Sequence, residues 1–424
     1  MTNVTQGAVA KARRSTPAVL YTWAGAIIAL LALSALLSFI AVQTLSSTGD
    51  RIQNSTGPVL ISTQGLVASI AEADAANTAV FLSGIDGTAE DVSQRTLYES
   101  ALARAPEQIE DISAGIGDDT DTHDALKDVA QQLTEYAGVV EQARLSNANG
   151  LPGANELLTD SLELSGGANG ILANANTVTE NTQIQFLSDV NAGLGFVILS
   201  IVILAVTLLV LLVAQVRLRT LTHRRFSVGL LGATACVIVL GLWLAVASLL
   251  RANDLSSARQ EGSVAIAAAA ELQTAAFEYK TAETNAIISE NASALPDSSI
   301  VEDIDRQLSA VRNNADTARE SAQAEAVTAR WQRYFEISDV IASSVRNEDF
   351  DGARALVAGD GNQSFTGFNT SAEALVLANE DQFNNSVANA TARLNWLSFA
   401  AIIIPLLGAA SAWLGYRPRI NEYY

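Results

Sequence analysis

Three clusters of residues have the types and spacing that could do chemistry. The first is the acidic stretch Gly117, Asp118, Asp119, Thr120, Asp121, Thr122, His123, Asp124, in which Asp119 and Asp121 alternate as the oxygen ligands of a calcium loop do. The rest of that pattern fails, because the sixth position is Asp124 instead of Gly and the twelfth is Ala130 instead of a bidentate Glu. A loop leading into a helix N-terminus, where negative charge is favourable, explains the stretch better.

The second cluster is Arg330, Trp331, Arg333, Tyr334 and Phe335, with Arg306, Arg312 and Arg319 assigned to the preceding helix. It reads in two ways. One is a packed aromatic stripe beside intrahelical Arg to Glu pairs. The other is an anion- or partner-binding surface formed by Arg330, Trp331, Arg333 and Tyr334, since Arg forks and Trp or Tyr anchors suit recognition. The third cluster is the basic stretch 217–225, where Arg217, Arg219, Arg224 and Arg225 serve topology and contact with anionic lipid or else form a docking site for a cytoplasmic partner.

Catalysis finds no support in these residues. His123 and His223 are the only histidines and are expected on opposite sides of a membrane, so no His-based zinc site or catalytic pair forms within one chain. There is no Gly-rich phosphate loop and no Gly-x-Ser-x-Gly elbow. The sequence therefore predicts no catalytic residue, no cofactor, no metal site and no enzyme.

The elements that position these clusters are set by hydropathy. Four segments are apolar enough and long enough to cross a hydrocarbon core of roughly 30 Å: Ala18 to Val42, Val190 to Val216, Val228 to Leu250, and Leu394 to Tyr416. None has a Lys, Arg, Asp, Glu or His in its interior, which argues against an ion or proton pathway. Gly229, Gly232 and Cys236 in the third span, with Gly408 and Ala412 in the fourth, have the small-residue spacing that lets helices approach closely.

Basic residues lie at 1–17, 217–227 and 417–424, so these pieces are expected in the cytoplasm and the protein in the plasma membrane with both termini inside. The apolar stretch of the first span is too long for a signal-peptide core, so uncleaved anchoring is expected. Residues 44–189 carry 22 acids against 5 bases, and residues 251–393 carry 22 against 11. Every acid except Glu422 thus falls in two segments predicted to lie outside, which hold the net charge of −20. Cys236 is the only cysteine, so both segments stand without a disulfide.

Each external segment, 43–189 and 251–393, reads as helix almost throughout, with little strand signal. Breaks are predicted at 83–88, 115–121 and 146–153 in the first and at 291–298, 321–328 and 347–351 in the second. Asp86, Gly87 and Thr88 form one of the turns. Tyr136 with Tyr334, Gly153 with Gly352, and Gln185-Phe186 with Gln382-Phe383 recur at an offset of 197 to 199, which points to internal duplication. The expected fold is all-α: four transmembrane helices and two extracytoplasmic up-down-up-down four-helix bundles. A single helix over 169–215 would be roughly 70 Å long.

Paired spans around a helical bundle resemble the external domains of bacterial chemoreceptors and sensor kinases, and two such units in one chain would imitate their homodimer. Those receptors continue into an output domain, whereas here Gln215-Val216-Arg217 is followed within about 12 residues by another span. The whole architecture, the C-terminal stretch Arg417-Pro418-Arg419-Ile420-Asn421-Glu422-Tyr423-Tyr424, and an excess of 22 Arg over 3 Lys are similar to the GlnX-type membrane proteins of actinobacteria. That resemblance implies amino-acid sensing by relay: an external glutamate- and aspartate-binding lipoprotein reports through the membrane protein to a cytoplasmic Ser/Thr protein kinase. Membrane lipid is a further expected partner, nucleic acid is not, and a homo-oligomer is allowed. The alternative is a scaffold or accessory subunit of a transport or envelope complex that does not switch.

Overall fold

The computed structural model describes residues 16–85, 90–222, 228–315, 317–392 and 395–421. The turn expected at Asp86, Gly87 and Thr88, the basic residues before residue 16, Arg224 and Arg225, and the last three residues lie outside these. Fourteen α-helices and no strand occur among the described residues. The chain divides into two compact units, residues 1–48, 191–252 and 390–424 in one and residues 49–190 and 253–389 in the other.

The first unit contains the four helices long and apolar enough to span a membrane. They are α1 (Thr16–Arg51), α7 (Leu194–Thr222), α8 (Val228–Ser257) and α14 (Asn395–Asn421). Ile27, Leu31, Leu204, Leu211, Leu240 and Leu397 form its interior, while Leu36, Ile198, Leu209, Leu242, Leu249 and Leu406 remain exposed on the outside. Helices apolar on both faces suit a lipid solvent, so the protein is a multi-pass membrane protein. Hydroxyl and amide groups tie the helices together: Ser38 and Ser200 share a hydrogen bond of 2.8 Å, and Gln215 Nε2 donates to Thr234 Oγ1 at 2.8 Å.

Close approach of α8 and α14 depends on glycine. A Cβ on Gly229 would overlap the Ser411 carbonyl oxygen and the Gly415 backbone, whereas one on Gly232 would sit 3.4 Å from the Ser411 side chain. Gly408 faces Cys236 in the same way, at 3.4 Å. The small residues singled out by spacing are therefore contact positions.

The second unit holds α2 (Gly57–Ser83), α3 (Val92–Gly115), α4 (Thr120–Ala148), α5 (Ala154–Gly166) and α6 (Ile171–Asn191) from the first inter-span segment. It also holds α9 (Val264–Ile288), α10 (Ser298–Asn313), α11 (Ala318–Arg346), α12 (Phe350–Leu356) and α13 (Asn362–Ala392) from the second. The two helical segments pack together chiefly through α2 and α9, whose Ala71, Ala75, Ala268, Ala269 and Ala275 share one core with Leu272, Trp331 and Tyr334. Every residue from 69 to 78 is buried, because α2 has neighbours from both segments.

Several helix starts follow local capping chemistry. Asp91, Asp119 and Asp297 each accept backbone N–H groups at the first turn of α3, α4 and α10. Asp119 thus uses its side chain as a helix cap, with Oδ1 taking the amides of Asp121 and Thr122. One predicted break is misplaced: residues 321–328 are inside α11, and the chain turns instead before Thr317, which forms a reciprocal capping box with Glu320. Arg319 therefore belongs to α11 and not to the helix before it. The fourth stretch of the first segment is also split, since Gly167 and Gly170 lie between α5 and α6.

The 70 Å helix over 169–215 does not form. Gly193 has φ +85°, a left-handed conformation that terminates α6 before α7 begins. In contrast, α1 is joined to α2 by the π-helical turn Ile52–Thr56, and α8 to α9 by the π-helical turn Ala258–Ser263, with no loss of helix.

Phe186 and Phe383, one of the pairs that recur along the chain, pack on each other with ring centroids 5.9 Å apart. Gly57 makes room for them, as a Cβ there would lie 2.8 Å from the Phe383 ring.

Replacement of Gly229 with Leu is expected to force α8 from α14 and cost about 1–3 kcal/mol, whereas Gly232→Ala is expected to change stability by less than about 0.5 kcal/mol. Thermal unfolding of the two purified variants in the same detergent checks the contrast.

Candidate functional site

The aromatic residues of the second segment turn inward. Trp331 is 4 % exposed and Tyr334 is fully buried, and both sit in a cluster with Tyr279, Phe365 and Phe368. Edge-to-face contacts run from Trp331 to Tyr279 and Phe368 at centroid distances of 5.6 and 5.3 Å, and from Tyr334 to Phe365 at 5.0 Å. The expected recognition surface of Arg330, Trp331, Arg333 and Tyr334 is therefore divided. Positions 331 and 334 fall on the core face of α11, whereas 330 and 333 fall on its exposed face.

Arg330 and Arg333 line an open cavity of about 400 Å³ with Ile337, Asp360, Gln363 and Gly367. In the basic stretch beyond α7's apolar part, the Arg217 guanidinium lies over the Trp23 ring at 5.9 Å and Arg219 is exposed.

The less expected feature is a set of ionisable groups buried along α2 and α9. Glu283 is 1 % exposed and accepts hydrogen bonds from Tyr334 Oη at 2.8 Å and from the Ser338 hydroxyl, which also shares a 2.8 Å bond with Tyr279 Oη. Burial pushes its carboxyl above the usual range, against the pull of Ser338, Lys280 and Tyr334. One turn earlier, Lys280 is 3 % exposed. Its ammonium lies 5.0 Å from the Phe365 ring centroid and 5.7 Å from that of Tyr334, and burial lowers its pKa while the charge of Glu283 opposes the shift.

On α2, Glu72 pairs with Arg104, and Asp74 accepts a hydrogen bond from the Ser165 hydroxyl beside the fully buried Tyr136. Desolvation raises the Asp74 carboxyl from 3.8 to about 7, against the hydrogen bond from Ser165. Both segments thus place a buried tyrosine of the long α4 or α11 against a buried carboxyl on α2 or α9.

Lys280 also borders open space. A cavity of about 420 Å³ is lined by Ala79 and Leu82 of α2, Gln94 of α3, Lys280 of α9, Arg354 of α12 and Asn362 of α13. A smaller space of about 50 Å³ adjoins it through the same Gln94, Lys280 and Asn362. Gln94 Nε2 donates to Asn362 Oδ1 at 2.9 Å, so an amide pair from the two segments forms part of the wall.

Sequence reasoning did not single out Lys280, Glu283 or Asp74. The available signal was a charged residue at three- and four-residue spacing among alanines, in helices with no continuous polar face.

Residues 48–190 match the family model of the actinobacterial sensor domain. Residues 253–394 match that of the four helix bundle sensory module for signal transduction. No curated protein matches the chain. Sensory modules therefore fill both inter-span segments, and the chain has a transmembrane sensing role.

Two outcomes are expected from this geometry. Trp331→Ala should cost about 3–5 kcal/mol of stability, whereas Arg330→Ala and Arg333→Ala should each stay within about 0.5 kcal/mol, as read by thermal unfolding. The second concerns pH. Between the ordinary carboxyl value of 3.8 and about 7, folded Asp74 holds a proton that the unfolded chain has released, so its contribution makes stability fall as pH rises through that window. Glu283 acts in the same direction, whereas Lys280, with a lowered pKa, acts with the opposite sign between its folded pKa and that of an unfolded lysine. The thermal midpoint should be higher at about pH 5 than at about pH 8, and Asp74→Asn should reduce the difference.

Proposed function

We propose that the protein relays extracytoplasmic glutamate or aspartate availability, delivered by a solute-binding lipoprotein, to a cytoplasmic Ser/Thr protein kinase. In this reading it lies in the plasma membrane with both termini and the basic loop 217–227 inside, the two helical segments outside, and no catalysis of its own. The observation that carries the proposal is the association of sensory modules with apolar helices of membrane-spanning length. The strong excess of acid over base in both segments, set against basic inter-span and terminal stretches, supports the orientation. The choice of amino acid, lipoprotein and kinase is supported by the resemblance to GlnX-type proteins alone.

The two segments are further read as copies of one duplicated unit. Support comes from their similar helix order, the π-helical turns that precede both α2 and α9, and the mutual packing of Phe186 and Phe383. Residues near the axis of an isologous pair meet their own counterparts.

A relay of this kind needs only two arrangements of the α2–α9 pair and a partner that binds one of them better. A differential affinity of about 1–3 kcal/mol shifts such an equilibrium 5- to 150-fold. Helix displacements of roughly 1–2 Å are a common form of the change.

Affinity capture of the full-length protein from its native membrane, with and without added glutamate or aspartate, tests the proposal. Recovery of a solute-binding lipoprotein, together with a kinase whose yield changes with the amino acid, is expected. An unchanging set of transporter or envelope subunits would replace the relay with a scaffold.

A further inference from the structure

The cavity beside Lys280 is built around a charge that the described residues leave without a hydrogen bond or ion pair. The Lys280 side chain is 3 % exposed, and its contacts are the ring faces of Phe365 and Tyr334. Cation–π attraction offsets only part of the cost of removing an ammonium from water, which amounts to several kcal/mol.

The other ionisable groups at the cavity are already engaged. Asp91 caps α3 through the amides of Ser93 and Gln94 and accepts the Ser93 hydroxyl. Arg354 pairs with Asp351 at 3.3 Å and with Glu290 at 3.5 Å. Glu283, the nearest acid on the same helix, has its two oxygens held by Tyr334 and Ser338. Glu283 acts on Lys280 through its charge, but no acceptor among the described residues takes a hydrogen bond from the ammonium, and that capacity is left to the cavity.

The shape of the space narrows what meets it. Its volume of about 420 Å³ falls in the range of small-molecule sites. Ala79, Leu82 and Val357 provide an apolar wall, and the amides of Gln94 and Asn362 flank Lys280. We infer that the cavity binds a small organic monocarboxylate, with the carboxylate on the Lys280 ammonium and a short apolar body against Ala79, Leu82 and Val357. Because the wall comes from both inter-span segments, the occupant bridges them and favours their closed packing. The site belongs to this chain alone and holds whether or not a loaded lipoprotein docks elsewhere.

The probe is 4-methylpentanoate added to the purified full-length protein, compared with its neutral isostere 4-methylpentanamide. At about ten times half-saturation the carboxylate is expected to raise the thermal midpoint by roughly 3 °C, and the amide to leave it unchanged. Lys280→Met, which keeps the apolar stem, should abolish the shift while retaining helical circular dichroism. Ala79→Phe, which fills the cavity and leaves Lys280 in place, should abolish it too. An equal shift from the amide, a shift that persists in Lys280→Met, or no shift in the unaltered protein at about 10 mM carboxylate would overturn the inference. None of these results depends on the partners recovered by affinity capture, so the two readings fail separately.

Discussion

Close contact between α2 and α9 is the constraint on which the larger unit depends. Two helices approach this closely only where their facing side chains are small, and Ala71 and Ala75 share a core with Ala268, Ala269 and Ala275. The remaining helices of each segment pack around this pair, and residues 69–78 are all buried. The high alanine content of these segments is therefore more than helix propensity. It sets the distance at which the two segments meet.

Packing a helix on all sides also buries whatever polar residues it carries. Glu72 and Asp74 on α2, and Lys280 and Glu283 on α9, are buried, with Glu72, Asp74 and Glu283 partnered from within their own segments. Hydrophobic residues of similar volume would cost less, so these groups work against stability unless fully partnered. Glu283 is well served by two hydroxyl donors, Asp74 is served on one oxygen only, and Lys280 faces aromatic rings and open space. The buried groups of the two helices are thus uneven in polar satisfaction, and Lys280, the one without a hydrogen bond among these four, borders a cavity.

Much of this architecture is legible in the amino-acid order. The spans follow from hydropathy, and helix starts at Asp91, Asp119 and Asp297 follow from the capping preference of Asp. The misplaced break shows the limit of composition: residues 321–328 are poor in large apolar side chains, yet the turn lies where Thr317 and Glu320 satisfy each other's backbone amides. Trp331 and Tyr334 were ambiguous because three-residue spacing fits both a core stripe and a surface patch; the ring cluster around Tyr279 and Phe368 decides it. The Lys280 cavity was not legible at all. It needs Gln94 and Asn362, 268 residues apart, to meet across the two segments, and no local pattern encodes that meeting.

The helical connections add a physical asymmetry. From α1 to α2 and from α8 to α9 the backbone stays helical through a π turn, whereas α6 and α7 are separated at Gly193. A π turn carries an extra residue within the helical hydrogen-bond pattern, so it adjusts the register of a helix without ending it. A left-handed glycine ends the helix and leaves the following segment free of that register. The π turns that follow α1 and α8 lead into α2 and α9, the same helices that form the seam and carry buried charges. Among the described residues, α2 and α9 pack on each other and each follows an apolar segment of spanning length through unbroken helix.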